Sequence, residues 1–252
     1  MNKGNTAVYS TGQIAKIVGL HPNTVRSYEE WGLIHKPKRK PNGYRIYNDI
    51  HIKQFQLTRK AFQTEIIQAG LRERMIEAVK LSAEYRFDEA EEQILEYIRI
   101  AKQEIENAKE AAKLCEILWQ QPQADDAVYK RSQAAKELGL TIDTIRNWEM
   151  NGLLTVKRKQ NGYRVYDSND INRLKVIRTL RCANYSLSAI LRMLNRYDSG
   201  MNKENILDIL NTPEADDDII SACDRLIDSL ENAIENAYEA ISILHDMKQM
   251  KK

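Results

Sequence analysis

The chain has 252 residues, 42% hydrophobic and 29% charged, with a formal net charge of +2 and three cysteines. That length accommodates two small domains with connecting helices, and cysteines as far apart as Cys115, Cys182 and Cys223 exclude a disulfide framework or a zinc module. No apolar run is long enough to span a bilayer and no cleavable leader pattern opens the chain, so a cytoplasmic location is expected.

The small net charge conceals a segregated one. Residues 1–64 carry 11 Lys/Arg against 3 Asp/Glu, 65–127 carry 8 against 15, 128–197 carry 14 against 5, and 198–252 carry 5 against 13. Two strongly basic stretches are therefore each followed by an acidic one, which attracts phosphate to some surfaces and keeps others free of it.

In chain order, residues 1–8 are polar without periodicity and read as a frayed end. Ser10-Thr11-Gly12-Gln13 has the spacing of a capping box and opens a short helix with Ile14, Ile17 and Val18 on one face. Gly19 ends that helix and Pro22 starts another, in which Val25, Tyr28 and Leu33 turn inward. Asn23, Thr24, Arg26 and Ser27 are left to face outward, with His21 as a cap or a contact. A basic segment then leads to Asn42-Gly43-Tyr44-Arg45-Ile46-Tyr47, where Asn-Gly signals a tight hairpin in which both residues accept positive φ. A further helix begins near Asp49, with Ile52, Phe55 and Arg59 on successive turns.

The whole pattern recurs from Tyr129 at an offset of 120 residues, and of 119 beyond Gln160. Gln133, Ala135, Lys136, Gly139, Leu140, Thr144, Arg146, Glu149, Gly152 and Leu153 repeat their counterparts, and the wing closes on Asn161-Gly162-Tyr163-Arg164-Val165-Tyr166. A helix followed by an arginine-bearing hairpin suits a winged helix-turn-helix reader of duplex DNA, one element for the major groove and one beside it. His21, Asn23, Ser27 and Tyr28 become Thr141, Asp143, Asn147 and Trp148, so the two copies should read different bases.

After each copy the apolar spacing alternates between four and three. The first seam runs Ile94, Ile98, Ala101, Ile105, Ala108, Ala112, Cys115, Trp119, and the second Ile220, Cys223, Ile227, Leu230, Ile234, Ala237, Ile241, Leu244. The alanine-rich seam complements the bulkier one, which predicts antiparallel pairing inside one chain. The alternative is a homodimer in which each seam meets its own copy. Leu71 to Ala83 is also helical in pattern.

These residues resemble the MerR family of bacterial transcription regulators, twice over: helix, turn, helix, the runs Gly32-Leu33-Ile34 and Gly152-Leu153-Leu154, and a basic wing ending in Asn-Gly-Tyr-Arg-x-Tyr. The likeness covers residues 9–60 and 129–195. It implies a mainly α fold with two winged helix-turn-helix domains, each with a small β-wing, and long helices in an antiparallel coiled coil. The division expected is 1–64 for the first reader, 65–120 for a helical segment with the first coiled-coil helix, 121–128 for a linker, 129–197 for the second reader, and 198–252 for an acidic segment with the second coiled-coil helix. The resemblance also implies promoter distortion that acts on RNA polymerase indirectly. By position it places Asn23, Thr24, Arg26 and Tyr28 on a recognition helix and Arg39, Tyr44 and Arg45 on its wing; Thr144, Arg146, Trp148, Arg158, Tyr163 and Arg164 match in the second copy. Family members normally carry one reader per chain and a separate effector domain or metal loop, and this sequence departs from both habits.

Arg45 and Arg164 follow a hairpin tip, where a guanidinium reaches phosphate or a narrow minor groove unless it is simply solvated. Asp143 repels phosphate unless it accepts from cytosine or, as expected here, caps its helix. Tyr28, Trp148, Tyr47 and Tyr166 should pack the domain cores with a polar tip at the edge. An antiparallel seam would bring Cys115 to Cys223, as small hydrophobes in a tight seam or, secondarily, as a thiol pair able to bind a soft metal. No catalytic motif appears and no cofactor is implied. The expected function is a sequence-specific regulator that reads an imperfect inverted repeat. An architectural or excisionase-like DNA accessory protein is the alternative, and a pure interaction protein a further one.

Overall fold

A computed structural model describes residues 7–63, 68–120, 128–157, 162, 164–200, 205–213 and 222–251. It is mainly helical, with two two-stranded sheets among the described residues. Residues 1–6 of the expected frayed end, 121–127 of the expected linker, and Ile220 of the second seam lie outside the described residues.

In the first copy α1 spans Thr11–Val18 and α2 spans Pro22–Glu30. The Ser10–Gln13 capping box forms, Gly19 closes α1 at φ 64°, and Pro22 takes the first turn of α2, as the sequence predicts. Strands β1 (Lys38–Arg39) and β2 (Arg45–Ile46) pair antiparallel, with Lys38 opposite Ile46 and Arg39 opposite Arg45. Helix α3 spans Asp49–Ala61, and Ile14, Val18, Val25, Ile34, Tyr47 and Phe55 form the small core between these elements. Helices α4 (Leu71–Ala83) and α5 (Phe87–Gln120) follow.

The second copy repeats the helices, and its described sheet pairs Tyr129 with Tyr166, at the register of the Tyr9–Tyr47 bridge of the first copy. It comprises β3 (Tyr129–Lys130), α6 (Arg131–Leu138), α7 (Ile142–Met150), β4 (Val165–Tyr166) and α8 (Ser168–Cys182). Then come α9 (Leu187–Asp198), α10 (Ile206–Asn211) and α11 (Leu226–Lys251). Arg192 of α9 is buried and donates to the carbonyls of Ile209, Leu210 and Asp224, which ties α9, α10 and the turn before α11 together.

The chain compacts into two units that cut across its linear order, Met1–Lys102 with Leu230–Lys252, and Gln103–Ser229. In the first, the latter part of α11 runs antiparallel to the start of α5. Lys248 pairs with Asp88 and Glu91 at 2.7 and 2.6 Å and His245 with Glu91 at 2.9 Å, whereas Lys102, further along α5, meets the Tyr238 hydroxyl at 3.1 Å. The same stretch of α11 lies on the first reader, where Lys53 pairs with Asp246 and Lys60 with Glu239. In the second unit it is the latter part of α5 that lies on the second reader. Asn172 donates to the Leu118 carbonyl, the Cys115 thiol lies 3.9 Å from the Val176 carbonyl, and Tyr185 reaches the Ala108 carbonyl at 3.5 Å. Each reader is thus packed by the long helix that follows the other.

Candidate nucleic-acid interface

The reading faces start from how the two helices are capped. In α2 the His21 ring accepts from the Asn23 amide at 3.2 Å, so His21 is the cap. Val25 is fully buried while Asn23 and Arg26 are exposed, and the Arg26 guanidinium donates to the Asn23 side chain at 3.0 Å. Thr24, Ser27 and Tyr28 are half-buried, with the Tyr28 ring stacked on Phe55 at 5.6 Å. These side chains form one polar strip above an apolar seat.

In α7 the Thr141 hydroxyl accepts from the Thr144 amide at 3.0 Å and lies 2.7 Å from the Thr144 hydroxyl. Thr141 therefore caps the helix, a correction to the role expected of Asp143, which stands exposed in the first turn where the helix dipole favours a carboxylate. Arg146 is exposed and Thr144 half-buried. Trp148, which the resemblance places on the recognition helix, is only 5% exposed, as expected of a ring that packs the domain core.

The first wing closes in a tight hairpin at Asn42-Gly43, as expected, though not with both residues at positive φ. Gly43 donates to the Lys40 carbonyl and Lys40 to the Tyr44 carbonyl, both at 2.8 Å, which makes a three-residue loop of Pro41, Asn42 and Gly43. Only Gly43 of the Asn-Gly pair has positive φ, 83°, as a turn followed by a left-handed glycine requires. Tyr44 is 72% exposed at the tip, and Lys38, Arg39 and Lys40 are exposed along the first arm. In the second wing Lys157 is exposed and accepts on its carbonyl from the Val165 amide at 3.1 Å. Arg158 and Tyr163, both expected wing contacts, lie outside the described residues.

Arg45 and Arg164 are neither free nor simply solvated. Arg45 donates to Glu29 of α2, and Arg39 lies 3.6 Å from the same carboxylate. Arg164 donates to Glu149 of α7 at 3.0 Å, where Arg131 at 2.7 Å and the Tyr166 hydroxyl also donate. The Glu29 and Glu149 side chains are 6% and 4% exposed. Burial, and then the hydrogen bond to Glu149, pushes the Tyr166 phenol up to about 12; Tyr47 is raised too, chiefly by burial. Both rings are fully buried instead of leaving a hydroxyl at the edge. Sequence reasoning gave Glu29, Glu149 and Arg131 no role. The signal was the recurrence of the glutamate at one register in both copies, on the last turn of a helix next to a wing arginine.

The Cys115 thiol is fully buried, and burial pushes it up to about 12, which fits a small hydrophobe in a packed seam. Among the described residues no group of three His, Cys, Asp or Glu is placed to hold a metal ion, and no helix is long and apolar enough to cross a membrane.

Comparison with known proteins finds both copies independently. The model of the MerR family regulatory protein matches residues 10–47, and that of the MerR HTH family regulatory protein matches residues 129–197. The HTH-type transcriptional regulator CueR of Escherichia coli O6:H1 is 46% identical over 50 residues, 20% of this chain and 37% of that protein. AdhR of Bacillus subtilis, an HTH-type transcriptional regulator, is 39% identical over 70 residues, 27% of this chain and 50% of its own. ZntR of Escherichia coli K12 is 35% identical over 69 residues, 27% and 49%. The chain thus spans half or less of the length of these three relatives. No solved structure matches it.

Proposed function

The chain belongs to the MerR family through two helix-turn-helix domains carried in one polypeptide, and from that premise we propose that it is a DNA-binding transcription regulator whose two readers recognise the unlike halves of one pseudo-palindromic promoter site. One observation carries the reading: a capped helix exposes Asn23 and Arg26 in the first copy, next to the exposed Lys38, Arg39 and Lys40 of its wing, and Arg146 beside Thr144 in the second, where Lys157 is exposed among the described wing residues. Arg26 and Arg146 fit a guanine edge or a phosphate, while Asn23, Thr24 and Thr144 fit base edges or backbone. Arg39, Lys40 and Tyr44 fit the flanking backbone. Crossed packing of the readers and the long helices supports a chain that acts alone as a pseudo-dimer, with a homodimer through the long helices as its competitor.

On this reading the protein works in the cytoplasm and distorts promoter DNA to affect RNA polymerase indirectly. Selection of binding sequences from a random duplex pool by the full chain, followed by footprinting, tests it. The expected product is an imperfect inverted repeat whose halves carry different bases. Binding that protects no preferred sequence favours the architectural, excisionase-like role instead. Asp143 gives one further reading, because an exposed carboxylate beside phosphate weakens the second reader. Protection of only one half-site would support it.

A further inference from the structure

The two readers attach their wings with different residue sets, and the difference shows what the wing arginines do. In the first copy the Glu29 carboxylate receives Arg45 from β2 and lies 3.6 Å from Arg39 of β1. In the second, Glu149 receives Arg164 from beside β4, Arg131 from the first residue of α6, and the Tyr166 hydroxyl. Arg131 stands at the register of Thr11, whose side chain neighbours the Tyr47 phenol. The carboxylate is thus served by guanidinium groups of the wing alone in one copy, and by guanidinium groups from the wing and the first helix in the other.

Both carboxylates sit on the last turn of a recognition helix and are almost wholly shielded from water. A shielded, charge-assisted pair of this kind fixes geometry, and it occupies the arginine that would otherwise reach outward. We propose that Glu29 and Glu149 are positioning residues of the DNA interface, and that Arg45 and Arg164 serve duplex binding by holding each wing against its recognition helix rather than by neutralising phosphate. The proposal rests on the DNA-binding reading above.

Salt dependence separates the two roles, because each phosphate neutralised contributes ~0.9 to the slope of log affinity against log salt on duplex DNA. The experiment measures binding of the full chain to a selected duplex over a series of salt concentrations. Arg45→Ala is expected to weaken binding about tenfold or more, the scale of a lost charged hydrogen bond, with the slope unchanged. Glu29→Gln removes a negative charge near phosphate, yet is expected to weaken binding by a similar factor. Thr11→Arg added to Arg45→Ala is expected to restore most of the affinity by giving Glu29 the partner that Arg131 gives Glu149. Arg45→Lys keeps the charge without the guanidinium fork, and should lose affinity at constant slope even if Arg45→Ala fails to fold. A slope shallower by ~0.9 in Arg45→Ala, tighter binding by Glu29→Gln, full affinity in Arg45→Lys, or no rescue by Thr11→Arg would overturn the proposal. Absence of duplex binding by the unmodified chain would instead overturn the DNA-binding reading, and is seen without any variant.

Discussion

His51, in the first turn of α3, is 4% exposed, with Nδ1 taken up by the Asn48 cap and Nε2 buried without a hydrogen-bond partner. Burial, and then the nearby His35, lowers its pKa from 6.5 to about 4. The unfolded chain therefore takes up this proton first, so the contribution is complete above pH 6.5 and is lost as pH falls towards 4. Fully developed, the loss amounts to ~3 kcal/mol. Denaturant unfolding at pH 7 and pH 4.5 should show it in the parent and not in His51→Gln; equal acid sensitivity in both would remove His51 as the cause. The cysteines give a second expectation at this scale, since only Cys182 is exposed while Cys115 and Cys223 are buried. A thiol reagent on the native protein should modify one cysteine quickly and the other two only on unfolding, whereas rapid reaction of two would restore the idea of an active seam pair. Arg26→Ala should cost ~1–3 kcal/mol and relax one base position if it reads guanine, and should weaken all sequences alike if it holds phosphate. A panel of single-base variants of the selected site distinguishes the two.

Among the elements, those that local chemistry fixes were legible in advance. Ser10 with Gln13, Pro22 and Gly19 set the limits of α1 and α2, and the apolar spacing gave α4 and α5. Long-range pairings were not legible. The wing glutamates look like ordinary solvated ends of helices until folding brings an arginine over them, and Arg192 looks like a surface cation until α10 presents carbonyls to it. The first seam alternates as a coiled coil should, but its later residues face α8 and α9 as well: Cys115 meets Val176 of α8 and Trp119 stacks on Tyr197 of α9 at 4.0 Å. A periodicity reports that a helix has an apolar stripe, not which element covers it. Leu244 of α11 is fully buried in the unit that holds the first reader. Leu244→Ala should therefore cost ~2–5 kcal/mol and release amide protons of α3 to exchange sooner than those of α8. Equal loosening of α3 and α8, or loss confined to α8, would refute the crossed packing.

For the whole molecule, charge and duplication point the same way. Basic readers alternate with acidic helical segments, and some of the acid is used internally, as where Asp246 and Glu239 of α11 meet Lys53 and Lys60 of α3. Exposed pairs of this kind contribute little, ~0–1 kcal/mol each, so the packing rests on buried apolar residues such as Leu230, Ala237, Leu244 and Met247. Two readers on one polypeptide have the valence that a symmetric regulator obtains by dimerising, with the added freedom that the halves can differ. The most direct measurement is the solution mass of the protein bound to a selected duplex, taken across a salt series. One 29.2 kDa chain per duplex, with affinity falling steeply as salt rises, is the predicted result. Two chains on one site would contradict the self-contained pseudo-dimer, and no complex with any duplex at low ionic strength would contradict the whole account.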